Sequence, residues 1–245
     1  MIQDQACHKI TVVIPVCSSD YSVPQEYHQV RVLLLSNGSG PLYSHHADIL
    51  RVPWQGHART RKLALKDIKT PYVFFTVQDA IPHPEMLYTL LREIEGGAWD
   101  IVLPRQVAHP HSCNVVRRQL EMWMPDAQET YPFHQADHVG ALYKTEDLHQ
   151  WALAEVPIAE DVWWSTGRRI ACVPQAKLYH AHERKAWELY RREYAIHTQL
   201  SILQRLERPS FRALLGFRSL SKGRMRDWGV DVMEQIGRWQ AWLNI

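Results

Sequence analysis

Two short acidic stretches hold the residue types best suited to chemistry. The first, Thr76-Val77-Gln78-Asp79-Ala80-Ile81-Pro82, leaves the end of an apolar run, and the second is Ala159-Glu160-Asp161-Val162-Trp163-Trp164. A carboxylate at the C-terminal edge of a buried strand is placed to hold a divalent cation, and an acid pair opening a helix can supply a base. Together they suggest metal-assisted group transfer. The plainer alternatives are a turn-capping Asp79 before Ile81-Pro82 and, for Asp161, a helix N-terminal acid favoured by the dipole by only ~0.3–1 kcal/mol.

The elements that must position these residues alternate along the chain. Ile10-Thr11-Val12-Val13-Ile14-Pro15-Val16 and Val30-Arg31-Val32-Leu33-Leu34-Leu35 are apolar runs expected of strands covered on both faces. Ser36-Asn37-Gly38-Ser39-Gly40-Pro41 follows with turn residues that free the backbone near a ligand. A third strand is expected at 48–52 and a helix at 57–68, where Ala58, Leu63, Ala64 and Ile68 share a face ahead of Pro71. Residues 72–77 read as a fourth strand, 84–95 as a helix stopped by Gly96-Gly97, and 99–103 as a fifth strand.

With right-handed crossovers this order gives a doubly wound α/β sheet whose ligand crevice lies beyond the strands' C-terminal ends, where Ser36 and Gln78-Asp79 fall. Residues 104–135 lack periodicity and read as a long binding loop or an irregular surface excursion. Strand character resumes at 139–143, a short helix is expected at 160–168, short strands at 170–173 and 177–180, and a long helix at about 187–206.

Several function classes are excluded or left without support. The first strand ends Pro15-Val16-Cys17-Ser18-Ser19, with neither a dinucleotide fingerprint nor a P-loop, so nicotinamide and flavin chemistry are not expected. The same lack of a glycine-rich phosphate loop argues against a nucleotidyltransferase. A formal net charge of +2 over 245 residues gives no global case for nucleic acid. Cys7, Cys17, Cys113 and Cys172 form no close pair, so reduced thiols are expected. The start, Met1-Ile2-Gln3-Asp4-Gln5, lacks the features of a signal peptide and no apolar run approaches a membrane span, so a cytoplasmic protein is expected.

The ordered series Thr11-Val12-Val13-Ile14-Pro15, Ser36-Asn37-Gly38-Ser39, Gly56-His57-Ala58-Arg59-Thr60-Arg61, Gln78-Asp79-Ala80-Ile81-Pro82, Glu160-Asp161 and Tyr179-His180-Ala181-His182 resembles the family-2 glycosyltransferases of GT-A fold, over about residues 9–200. The Gln78-Asp79-Ala80-Ile81-Pro82 form is most similar to the bacterial rhamnosyltransferase-type branch. There the first acid of the usual Asp-x-Asp motif is replaced, here by Val77.

That resemblance implies a GT-A domain over residues 1–206 and an inverting transfer of sugar from a nucleotide donor to a glycan or lipid-linked acceptor. It implies Asp161 as general base, with Glu160 orienting the acceptor or capping the helix. Asp79 and His180 would hold Mn2+ or Mg2+ on the donor diphosphate, and a histidine ligand favours manganese. Pro15, Ser36, Asn37, Arg59 and Gln78 would line the donor site, with Arg184 or Lys185 near the leaving phosphates. Ser36 stands where the family usually places an acid against the nucleotide base, which leaves UDP-, dTDP- and GDP-linked donors open. A silent GT-A domain that binds nucleotide or glycan is the alternative, motivated by Val77 and Ser36. Residues 207–245 form a separate extension, in which Arg212, Arg218, Lys222 and Arg224 interleave with Phe211, Leu214, Phe217 and Leu220. Such a stretch, over 208–226, can lie on an anionic membrane surface or pack on the domain, and the last helix can dock onto the core or a second subunit.

Overall fold

The computed structural model describes residues 8–37, 42–112, 114–151, 153, 155, 156, 159–180, 191, 194 and 236. The chain divides into two compact units, Met1–Pro110 with Leu120–Ala181 and His111–Gln119 with His182–Ile245. The expected donor residues Arg184 and Lys185, most of the expected 187–206 helix and all of 207–245 except Ile236 lie outside the described residues.

In chain order the elements are β1 (Ile10–Val16), β2 (Arg31–Ser36), β3 (Asp48–Arg51), α1 (His57–Ala64), β4 (Tyr72–Thr76), β5 (Ile81–Pro82), α2 (Met86–Glu95), β6 (Ile101–Val107), α3 (Asn114–Trp123), β7 (Tyr131–Phe133), β8 (Gly140–Lys144), α4 (Thr145–Gln150), α5 (Glu160–Trp164) and β9 (Ile170–Tyr179). The strands form one nine-stranded sheet in the order β3-β2-β1-β4-β8-β6-β9-β5, with β7 also paired to β9. β3, β2, β1 and β4 are parallel, as are β6 and β9, while β8 runs antiparallel between β4 and β6.

The apolar runs are continuous because both sheet faces are covered. On β1, Ile10, Val12 and Ile14 enter one core with Leu87, Leu90, Leu91 and Ile94 of α2. Val13 enters the other, with Ala58 and Ala64 of α1. The period of two divides β2 and β4 likewise, Leu34 and Phe74 facing α2 and Leu33, Leu35 and Phe75 facing α1.

Three sequence expectations are corrected. The expected loop over 104–135 instead carries the second half of β6, helix α3 and strand β7. Pro104 and Pro132 obscure the strands, yet each sits where a ladder tolerates a missing N–H, at a register shift or in a short flanking strand. The two strands expected at 170–173 and 177–180 are one, β9, whose partner register jumps from Pro104↔Val173 to Arg105↔Lys177. Pro174-Gln175-Ala176 form the resulting bulge, and they produced the apparent break. Finally, the helix expected over 160–168 ends at Trp164.

One close approach demands glycine. A Cβ on Gly140 would stand 2.7 Å from both Leu178 Cδ2 and Pro104 Cγ, so β8 reaches its neighbours only without a side chain there.

Candidate active site

The C-terminal ends of β1, β2 and β4 bring together most of the residues expected to meet a donor. Cys17 N–H, just past β1, donates to Gln78 Oε1 at 3.0 Å, so Gln78 ties the ends of two adjacent strands. Asn37 N–H donates to Val16 O at 3.2 Å, and Val52 N–H to Ser36 O at 3.1 Å. These bonds shape an open pocket of about 290 Å³ lined by Ser36, Asn37, Arg51, Val52 and Pro53. Among the described residues Asn37 Oδ1 is buried with no hydrogen-bond partner. Pro15 lies one residue before the end of β1, paired with Leu35.

Sheet topology explains how Asp79 meets His180. Asp79 lies two residues before β5, and β5 pairs antiparallel with the end of β9, Ile81 opposite Tyr179. His180 follows at once and is anchored by its N–H to Val107 O at 3.0 Å. Its Nε2 therefore stands 3.8 Å from Asp79 Oδ1. Among the described residues no cluster of three or more His, Cys, Asp or Glu side chains forms a metal cage. An imidazole and a carboxylate converging in this way suit a cation that takes further ligands from phosphate oxygens and water.

α5 separates its two acids. Glu160 turns inward, 4% exposed, where Oε1 accepts from Arg61 Nη1 at 2.5 Å and from His138 Nδ1 at 3.1 Å. Burial opposes its charge, but the His138 hydrogen bond and the Arg61 guanidinium hold its carboxyl down at about 2. Asp161, partly buried, accepts from two main-chain donors, His138 N–H on Oδ2 at 3.2 Å and Val162 N–H on Oδ1 at 2.9 Å. Burial, with the nearby charges of Glu160 and Asp137, pushes its carboxyl up to about 7. A carboxylate with that proton affinity is suited to accept a proton near neutral pH.

Arg59 is exposed and pairs with Glu155 at 3.2 Å, as does Lys62 at 3.1 Å. The inward arginine of α1 is Arg61, 3% exposed. It lies midway between Ala58 and Ala64 on the buried stripe, and that spacing of three is the sequence signal that marks it. His138 and Asp137, in the turn before β8, escaped sequence reading because nothing local distinguishes them from the chain's other histidines and acids.

No protein-family model matches the sequence, and no curated protein matches it. Solved structures do. A mannosyltransferase from Pyrobaculum calidifontis in complex with GDP-Man and Mn2+ superposes with a TM-score of 0.62 at 14% identity, over 96% of this chain and 86% of that one. The fold is that of the GT-A glycosyltransferases. GalNAc-T7 with UDP, GalNAc and Mn2+ gives 0.56 at 12% identity over 92% of this chain, which spans 56% of that chain. S. aureus TarS 1-349 in complex with UDP-GlcNAc gives 0.52 at 15% identity, over 95% of this chain and 79% of that one. In GT-A terms Gln78, Asp79, Ser36 and Asn37 stand at the ends of the sheet's parallel strands, the edge where such doubly wound sheets bind ligands. Among the described residues no helix is long and apolar enough to cross a membrane.

Proposed function

We propose that the chain is an inverting, metal-dependent glycosyltransferase that moves a sugar from a nucleoside-diphosphate donor to a glycan or lipid-linked acceptor. The observation that carries this reading is the convergence of Asp79 and His180, 3.8 Å apart, at the ligand-binding edge of a GT-A sheet. The open pocket lined by Ser36, Asn37 and Arg51 suits the nucleotide base. Mn2+ or Mg2+ held by Asp79 and His180 would supply counter-charge to the departing diphosphate.

The chain's own residues account for the rest. Asp161 takes the acceptor hydroxyl's proton as the oxygen attacks the anomeric carbon, and the bond to the donor phosphate breaks with its electron pair leaving on the nucleoside diphosphate. Glu160, already committed to Arg61 and His138, supports Asp161 from behind. The ordered motif around Gln78-Asp79-Ala80-Ile81-Pro82 favours a rhamnosyl-type or hexosyl donor, and the basic 208–226 segment favours contact with an anionic membrane that presents lipid-linked acceptors.

A panel of UDP-, dTDP- and GDP-sugars with Mn2+, Mg2+ or EDTA tests the proposal. Metal-dependent binding of one donor with slow release of its nucleoside diphosphate is expected. The second reading, a silent GT-A domain, is favoured by Val77 and Ser36 at positions where acids are usual. Binding without turnover, with and without candidate acceptors, would select it.

A further inference from the structure

Beneath Asp161 a buried relay crosses from α1 to β8. Arg61 Nη1 donates to Glu160 Oε1 at 2.5 Å, and His138 Nδ1 lies 3.1 Å from the same oxygen. His138 Nε2 lies 3.0 Å from Tyr143 Oη. Arg61, Glu160, His138 and Tyr143 are 3%, 4%, 2% and 0% exposed, so water contributes little to any of these bonds.

The proton positions follow from the chemistry. An ionised Glu160 only accepts, so His138 Nδ1 must carry a proton. Burial lowers the His138 proton affinity, which leaves the ring neutral and Nε2 bare. Burial raises the Tyr143 phenol well above its ordinary value, so its O–H is intact and donates to Nε2. The imidazole is thus held in one tautomer and one orientation. Phe75 and Trp164 close on it at ring-centroid distances of 5.0 and 5.1 Å.

The main chain of this clamped residue touches the proposed base. Its N–H donates to Asp161 Oδ2 at 3.2 Å, beside the Val162 N–H on Oδ1 at 2.9 Å. Asp137, beside it, is pinned in turn: its Oδ1 accepts from Val139 N–H and its Oδ2 from Gln106 Nε2, both at 2.9 Å. We infer that His138 is a positioning residue, whose imidazole, gripped by Glu160 and Tyr143, holds its own N–H against Asp161 and so fixes the orientation and proton affinity of that carboxylate. The inference rests on the reading of Asp161 as base, but its geometry does not depend on which sugar is transferred.

The groups that face Asp161 set the sign of the test. Glu160 on α5 and Asp137 before β8 favour its protonated form, while the His138 and Val162 N–H groups favour the carboxylate. Tyr143 of β8 also feels the Asp161 charge, and Arg61 and His57 of α1 act on Glu160. Loosening the His138 N–H must therefore raise the Asp161 midpoint.

The experiment uses the full chain labelled with 13C at aspartate carboxyls, the Asp161 signal being identified by its loss in Asp161→Asn. In His138→Phe, which keeps the bulk and removes both ring bonds, the Asp161 midpoint should rise by about half a unit or more. His138→Asn, whose amide can still donate to Glu160, should restore most of the wild-type value. Tyr143→Phe removes only the far hydroxyl and should give a smaller rise, and it serves if His138→Phe does not fold. Unchanged midpoints in folded variants would overturn the inference, as would equal shifts in His138→Phe and His138→Asn. Hydrolysis of UDP-GlcNAc and GDP-mannose by Asp161→Asn separates the two claims: turnover equal to wild type removes Asp161 as base, whereas the NMR shifts report on His138 alone.

Discussion

Replacing Arg61 by methionine isolates the ion pair that anchors α5. Arg61 and Glu160 meet at 2.5 Å with side chains 3% and 5% exposed. Removing one partner leaves a buried charge, which costs ~3–5 kcal/mol in comparable pairs. Burial opposes the charge of Glu160, yet the His138 hydrogen bond and then the Arg61 guanidinium bring its carboxyl from 4.5 down to about 2. His138 keeps its own bond to Glu160 and retains part of that, so Arg61→Met should lose about 2–4 kcal/mol at pH 7.

The sign with pH follows from the depressed value. Glu160 contributes stability that is present above 4.5 and lost as pH falls towards about 2, so the wild-type and Arg61→Met stability curves should converge across that window. Urea unfolding followed by the fluorescence of the 10 tryptophans measures both effects. Adding Glu160→Gln removes the stranded charge and should recover at least half of the loss. A loss below about 1 kcal/mol, or a double variant no more stable than the single one, would refute the reasoning.

Further outcomes can be checked separately. Gly140→Ala should cost about 1–3 kcal/mol in urea unfolding, because its Cβ would stand 2.7 Å from Leu178 Cδ2 and Pro104 Cγ. Asp161 has the opposite linkage to Glu160. Its carboxyl rises from 3.8 to about 7, so the stability it contributes is present below 3.8 and lost as pH rises through 7. The neutral isostere Asp161→Asn should therefore be more stable than wild type above pH 7, by about 1–2 kcal/mol once the shared titration with Glu160 is allowed for, and the two should meet in acid. Asp79→Asn and His180→Ala should each weaken Mn2+-dependent nucleotide binding about 10-fold or more in calorimetry, with binding in EDTA unchanged.

The parallel half of the sheet was legible because strands buried on both faces leave unbroken apolar runs, and 10–16, 31–36 and 72–76 are such runs. The amphipathic α2 was legible for the same reason, with Leu87, Leu90, Leu91 and Ile94 on one stripe. Residues 104–135 were not, because Pro104 and Pro132 mark breaks in a local reading that the β6–β9 and β7–β9 pairings override. Gln78, Asp79, Ser36 and Asn37 could be placed at strand ends, where a doubly wound sheet gathers ligand groups, whereas His180 was singled out by the resemblance to the family-2 glycosyltransferases. The spacing on α1 marks Arg61 as inward, but its partner Glu160, like the partner Tyr143 of His138, reaches it only through the tertiary fold. The division of labour in Glu160-Asp161, one acid committed inward and the other raised towards neutrality, likewise depends on those partners.

The most direct test of the central claim compares wild type with Asp161→Asn for binding and turnover of the donor that the nucleotide-sugar panel selects, in Mn2+. Donor affinity should stay within about twofold of wild type and transfer should fall about 100-fold or more, since the variant keeps the Asp79–His180 pair and loses only the proton acceptor. Transfer at the wild-type rate in a folded Asp161→Asn protein would contradict it.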